Sequence, residues 1–215
     1  MTRRARLCLL MLLTGAGSAV GATDGERGRL IAHGGGPGGA TGGATACFRC
    51  HGLDGMGDPA QATPRLAGLP AFYLGKQLRD FARGTRPDPV MSPIAKAMDD
   101  AGRRAVAAYY AGLPVTGTPA GAAPERGRRI ALFGAPERDL PPCAACHGDG
   151  IANPAPAIPA LAGQPAAYLA LQLRHWRDAA RDNDALNGME RFASRLEPEE
   201  VEAVAAWFAA QRGGR

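Results

Sequence analysis

The sequence predicts an all-α protein built from two tandem domains of similar size. Three observations carry that expectation. The chain repeats itself: "PRLAGLPAFYLGKQLRDF" from Pro64 matches "PALAGQPAAYLALQLRHW" from Pro159. Apolar residues recur at helical spacing, and no run alternates convincingly as a strand. Between the copies runs "LPVTGTPAGAAP", a Pro/Gly/Ala stretch without apolar periodicity, which reads as a linker.

Taken in order, the first 22 residues form a targeting segment. Arg3, Arg4 and Arg6 precede an apolar run from Leu7 to Leu13, and small residues follow up to Val20-Gly21-Ala22. The run is shorter than the roughly 20 residues that span a bilayer. Cleavage near Thr23 is therefore expected rather than a retained anchor, and Cys8 leaves with the leader. Residues 23–112 are expected to form an N-terminal domain, 113–123 the linker and 124–215 a C-terminal domain. "ERGRLIAHG" from Glu26 and "ERGRRIALFG" from Glu125 read as matched opening helices. The glycine-rich stretch 34–43 after the first is expected to be mobile. In "YLGKQLRDF" Leu74, Leu78 and Phe81 mark one helical face. Asp99 can cap "DAGRRAVAAYYAGL". Glu197 is a poorer cap for the helix that opens at Pro198, so that start is expected to fray. Tyr109-Tyr110 and Trp207-Phe208 fall at matched places in the two closing helices and read as core. Each domain holds about ninety residues, a size at which a cofactor commonly supplements a small core.

Export leaves four cysteines in two Cys-x-x-Cys pairs: Cys47 with Cys50, and Cys143 with Cys146. Disulfides, one shared zinc ion or two redox-active dithiols would each use such pairs. However, His51 and His147 follow the pairs at once. Zinc or dithiol chemistry has no need of that histidine in both copies, whereas covalent haem attachment does. The thiols add to the two vinyl groups and the imidazole ligates the iron. Two covalently bound haem c groups are the expectation.

These strings, together with "P-x-L-A-G", "YL-x-x-Q-L" and a methionine ahead of the last helix, resemble the diheme class I c-type cytochromes, and most closely the cytochrome c4 family. The resemblance covers nearly the whole mature chain. It implies two class I cytochrome c domains, each wrapped around one covalent haem, with the haem edges close across an interface. It implies that the first and last helices of each domain cross, with Gly28 and Gly127 as the small residues against aromatic ones. It also implies that the carbonyls of Pro64 and Pro159 orient the ligating histidines, and that Leu66 and Leu161 pack on the haem faces. The "GMERFAS" copy departs from the "MSPIA" pattern kept by the first.

The sixth ligand separates a carrier from a catalyst, because an iron held on both sides passes electrons and an open one invites substrate. Met189 is the only methionine after Cys146, and it aligns with Met91. Met56 is too near His51 to reach over a haem, and Met98 aligns with Leu196 and reads as core. Met91 and Met189 are the expected ligands, with His33 and His175 as rivals. Thioether ligation would also raise the potential.

The formal charge of +5 misleads. Without the three leader arginines, 22 basic residues face 20 acidic ones. Residues 23–123 hold 11 basic and 8 acidic, and residues 124–215 hold 11 and 12. With ionised propionates and ferrous iron the halves come to about +1 and −3, a modest dipole able to orient docking. The basic balance is no argument for nucleic acid. The whole implies a periplasmic electron carrier rather than an enzyme, dissolved or loosely membrane-associated, a monomer or weak dimer. It would run between a quinol-oxidising complex or a dehydrogenase and a terminal oxidase. One alternative is the cytochrome subunit of a dehydrogenase such as flavocytochrome c sulfide dehydrogenase. A diheme peroxidase would need an open sixth site, and the matched methionines argue against it.

Overall fold

A computed structural model describes residues 24–35, 46–116, 123–148, 155–184 and 186–212. The expected leader, most of the glycine-rich stretch and residues 117–122 of the expected linker lie outside the described residues. Among those described the chain is helical, with two isolated bridges, Asp58 with Thr63 and Ala135 with Leu140, and no strand.

The N-terminal half runs α1 (Asp24–Ala32), α2 (Phe48–His51), α3 (Ala71–Arg83), α4 (Met91–Lys96) and α5 (Asp100–Gly112). The C-terminal half repeats the order with α6 (Glu125–Phe133), α7 (Cys143–His147), α8 (Ala166–Arg177), α9 (Gly188–Ala193) and α10 (Pro198–Ala209). Each half has its own apolar core. Ile31, Leu74, Leu78, Phe81, Val106 and Tyr110 centre the first; Ile130, Leu169, Val201, Val204, Trp207 and Phe208 centre the second. The aromatic pairs at the ends of α5 and α10 are edge-to-face contacts, 5.1 Å between centroids for Tyr109–Tyr110 and 4.8 Å for Trp207–Phe208.

What fixes each half is a crossing of its first and last helices. At Gly28 a Cβ would sit 2.0 Å from the carbonyl oxygen of Ala105 and 2.8 Å from Cβ of Tyr109. At Gly127 it would sit 2.0 Å from the carbonyl oxygen of Ala203 and 3.0 Å from Cβ of Trp207. Both helices approach so closely that only glycine fits. The two halves differ in their short turns: Pro59–Gln61 follows α2 in the first, whereas Pro136–Arg138 precedes α7 in the second.

The start of α10 corrects the expectation that it frays. Glu197 and Glu200 form a reciprocal capping box, with the Glu197 amide donating to Glu200 at 3.0 Å. Arg138 then clamps Glu200 with two hydrogen bonds, 2.7 and 2.9 Å, from 62 residues away.

The halves meet through α3, α8 and the loops that follow them, with a local two-fold relation. Arg86 donates to Gln77 of its own half (2.8 Å) and to Gln172 (2.8 Å) and Tyr168 (3.2 Å) of the other. Arg181 donates to Gln172 of its own half (2.7 Å) and to Gln77 of the other (3.2 Å). Each guanidinium lies 4.5 Å from a ring of its own half, Phe81 or Trp176. A second contact breaks the symmetry. The Arg65 amide donates to Gln164 Oε1 (3.0 Å), and Gln164 Nε2 donates back to the Arg65 carbonyl (2.9 Å). The Arg65 guanidinium also reaches Ala162 O across the interface at 3.0 Å.

Candidate functional site

The two histidines sit at the last turn of the very short helices α2 and α7. Each helix stops at the next residue because Gly52 (φ 78°) and Gly148 (φ 72°) take a positive φ that other residues resist. His51 Nδ1–H donates to the Pro64 carbonyl at 3.0 Å, and His147 Nδ1–H to the Pro159 carbonyl at 2.8 Å. A carbonyl only accepts, so these contacts require the proton on Nδ1 and leave the Nε2 lone pair available to a metal. Burial pushes both imidazoles below their ordinary range, and the proline carbonyls only partly offset it. Both are therefore neutral at pH 7, the form that ligates.

Of the four described cysteines, Cys47 and Cys143 are half-buried and Cys50 and Cys146 exposed. Burial raises the Cys47 thiol and pushes Cys143 up to about 11. Neither is the low-pKa thiolate that dithiol redox chemistry uses. Cys47 packs on the first core and Cys143 on the second, so the pairs belong to separate halves. Among the described residues no three His, Cys, Asp or Glu side chains gather as a metal-ion site.

Leu66 and Leu161 pack beside the same cores, partly buried. Met91 opens α4, and its amide donates to Asp88 Oδ1 at 2.7 Å. Met189 lies in the first turn of α9, with its amide donating to Asp184 Oδ2 at 2.9 Å. Met98 and Leu196 are both core residues, 4% and 5% exposed. Of the rival histidines, His33 is exposed, stacked on Phe48 (5.6 Å between centroids) and 3.4 Å from the Tyr109 hydroxyl. His175 is half-buried on α8, and its carbonyl accepts from the Arg181 amide at 3.1 Å.

Sequence reasoning missed the interface cations. Arg65, Arg86 and Arg181 are 0%, 7% and 7% exposed, and a guanidinium stays charged even so. Desolvation lowers Arg65 only to about 10. Its Nε has no hydrogen-bond partner among the described residues. Burial would raise the Tyr168 hydroxyl, but Arg86 and Arg181 more than offset it and hold the group below its ordinary value. A usable signal was present: Arg86 and Arg181 are 95 positions apart, the same spacing as Tyr73 and Tyr168, Gln77 and Gln172, and Phe81 and Trp176.

Two family models match, one per half. "Cytochrome c" matches residues 38–113, and "Cytochrome C oxidase, cbb3-type, subunit III" matches residues 142–208. A cytochrome c4 of Thiocapsa roseopersicina is 36% identical over 167 residues, 75% of this chain and 85% of that protein. The chain belongs to the cytochrome c4 family. Like other diheme c4 cytochromes it carries two covalently bound haem c groups and is an electron carrier. Within reach of the family lies a thiosulfate dehydrogenase electron acceptor of Thiomonas intermedia, 46% identical over 78% of this chain and 79% of that protein. The solved thiosulfate dehydrogenase (TsdBA) of Marichromatium purpuratum superposes with a TM-score of 0.77 at 40% identity. That match takes in 87% of this chain but only 40% of the longer one.

The described residues fit the cofactor. Each half offers one buried, neutral imidazole with a fixed Nδ1–H, next to a pair of thiols. The buried Nε of Arg65, which has no hydrogen-bond partner among the described residues, suits an anionic group of the cofactor.

Proposed function

We propose that this c4-type cytochrome accepts electrons in the periplasm from a thiosulfate-oxidising dehydrogenase and passes them towards a terminal oxidase. The observation that carries the reading is the 46% identity to a protein named as the electron acceptor of such a dehydrogenase. The similarity to part of the longer TsdBA chain supports it, because there the matching segment shares one chain with further sequence under the name of a thiosulfate dehydrogenase. The leader at residues 1–22 supports export. Among the described residues no helix is long and apolar enough to cross a membrane.

In this reading Cys47 and Cys50 hold the first haem and Cys143 and Cys146 the second, with His51 and His147 as proximal ligands and Met91 and Met189 as distal ones. When bound, the haems supply one-electron exchange between ferric and ferrous iron at a potential raised by the thioether. The chain does the rest. Pro64 and Pro159 hold the imidazole protons on Nδ1, and Leu66 and Leu161 keep water from the faces. Residues 23–112 and 124–215 form the two domains, joined through 113–123. The test is rapid mixing of the oxidised cytochrome with a purified thiosulfate dehydrogenase and thiosulfate. Reduction of both haems within the dehydrogenase's turnover time supports the reading. Haems that dithionite reduces but the dehydrogenase leaves oxidised would overturn it. Co-purification of a dehydrogenase from the native periplasm would mark a subunit instead of a diffusing carrier.

A further inference from the structure

The segment leading to Met189 is longer than its counterpart. Five positions separate Arg86 from Met91, and eight separate Arg181 from Met189. The extra length brings Asn183 onto α3 of the other half, where every polar group of its side chain is used. Its Oδ1 accepts from Arg181 Nε at 2.9 Å. Its Nδ2 donates to Gln77 Oε1 at 3.0 Å and to Asp80 Oδ2 at 2.6 Å. Its carbonyl accepts from Lys76 Nζ at 2.6 Å, and Lys76 itself pairs with Asp80 at 2.5 Å. The neighbouring residue, Asp184, accepts the Met189 amide at 2.9 Å and the Leu186 amide at 3.3 Å. The grip of one domain and the hold on the methionine backbone are thus adjacent in the chain. In the first half Asp88 does the same job as Asp184, accepting the amides of Val90 (2.9 Å) and Met91 (2.7 Å), and there the cross-domain contact comes from Arg86 alone, with no counterpart of Asn183 among the described residues.

We propose that Asn183 is a positioning residue through which α3 of the N-terminal domain holds the Met189 loop, a cross-domain hold on the distal segment of the second haem that adds to the Arg86 and Arg181 contacts both halves share. The inference rests on the reading of Met189 as a ligand. Its chemistry demands an amide at 183: a carboxylate there would face the Asp80 carboxylate at hydrogen-bond distance, a like-charge contact in a half-buried site.

The experiment uses the purified ferric diheme protein, titrated with imidazole as a competitor for the distal position and followed by the thioether-to-iron absorption band. In Asn183→Asp, imidazole is expected to bind one haem about tenfold more tightly, because a loosened loop holds its sulfur less well. The other haem stays as in the parent. Adding Asp80→Asn restores a donor opposite the new carboxylate and is expected to recover most of the parental affinity. Parental affinity at both haems in Asn183→Asp, an equal rise at both, or no recovery in the double variant would each overturn the proposal. Met189→Ala separates the two levels of the claim. If it leaves two thioether bands, the ligand reading has failed and takes the proposal with it. If it removes one band while Asn183→Asp changes nothing, the coupling alone has failed.

Discussion

The two domains close their last helix by different means. In the first, Asp99 accepts the Gly102 amide at 2.5 Å, a single cap at the surface. In the second, Glu200 stands where the first has Gly102, closes a capping box with Glu197, and is clamped by Arg138 with support from Arg126. The glutamate is 5% exposed, so the C-terminal domain has a buried carboxylate, paired with the partly exposed Arg138 and Arg126, where its twin has the exposed Asp99, paired with Arg27 at 3.4 Å. The fold tolerates both because what it requires is a satisfied helix start beside the glycine crossing, not a particular residue. The difference lies in sensitivity: the clamp ties α10 to the turn that leads into Cys143, and it titrates.

The comparison is broken most severely at the point where the domains agree. Gly28→Ala and Gly127→Ala each drive a methyl into a carbonyl that lies 2.0 Å away, with backbone on both sides. Each should cost its own domain about 3 kcal/mol or more, seen as one of two haem-reported transitions moving in urea unfolding. Parental unfolding in either variant would mean the crossing is looser than described.

Glu200→Gln sharpens the difference. It takes the buried carboxylate from Arg138, which is left with its exposed pair with Glu137 at 3.5 Å, and should destabilise the C-terminal domain by about 2 kcal/mol, with the N-terminal transition unmoved. The hydrogen bonds from Arg138 pull the Glu200 carboxyl from its ordinary 4.5 to about 2, against the opposing effect of burial. A depressed folded-state value stabilises the fold fully above about pH 4.5, and the contribution disappears as pH falls towards 2. The gap between parent and Glu200→Gln should therefore narrow over that window in acid-unfolding curves; a gap constant from pH 5 to 2 would contradict the clamp. Asp99→Ala, the corresponding change in the other domain, removes one exposed cap and should cost only about 1 kcal/mol, with little pH dependence near neutrality. A cost equal to that of Glu200→Gln would erase the asymmetry.

Much of the architecture was legible because the repeat doubles every local signal. The aromatic pairs and the helical faces of α3 and α8 each occur twice at matched places, whereas the crossing role of Gly28 and Gly127 was implied by the family resemblance. The start of α10 was misjudged because Glu197 alone is a weak cap. Its strength comes from Glu200 and from Arg138, which tertiary folding brings in from far along the chain. The interface was only half readable. Gln77 and Gln172 stand out as a repeated pair, but a glutamine that serves two arginines from different domains has no local signature. Asn183 had none at all, because its partners across the interface lie more than a hundred positions away.

The central claim, that each half supplies its own histidine–methionine pair to its own haem, is tested most directly by spectra of the purified Met91→Ala and Met189→Ala proteins. Each variant should keep two covalent haems and lose the thioether band and low-spin state of one of them, with a lower potential at that iron. The two variants should affect different haems. Two unaltered low-spin, thioether-ligated haems in either variant, or loss of low-spin character on replacing His33 or His175 instead, would contradict the account.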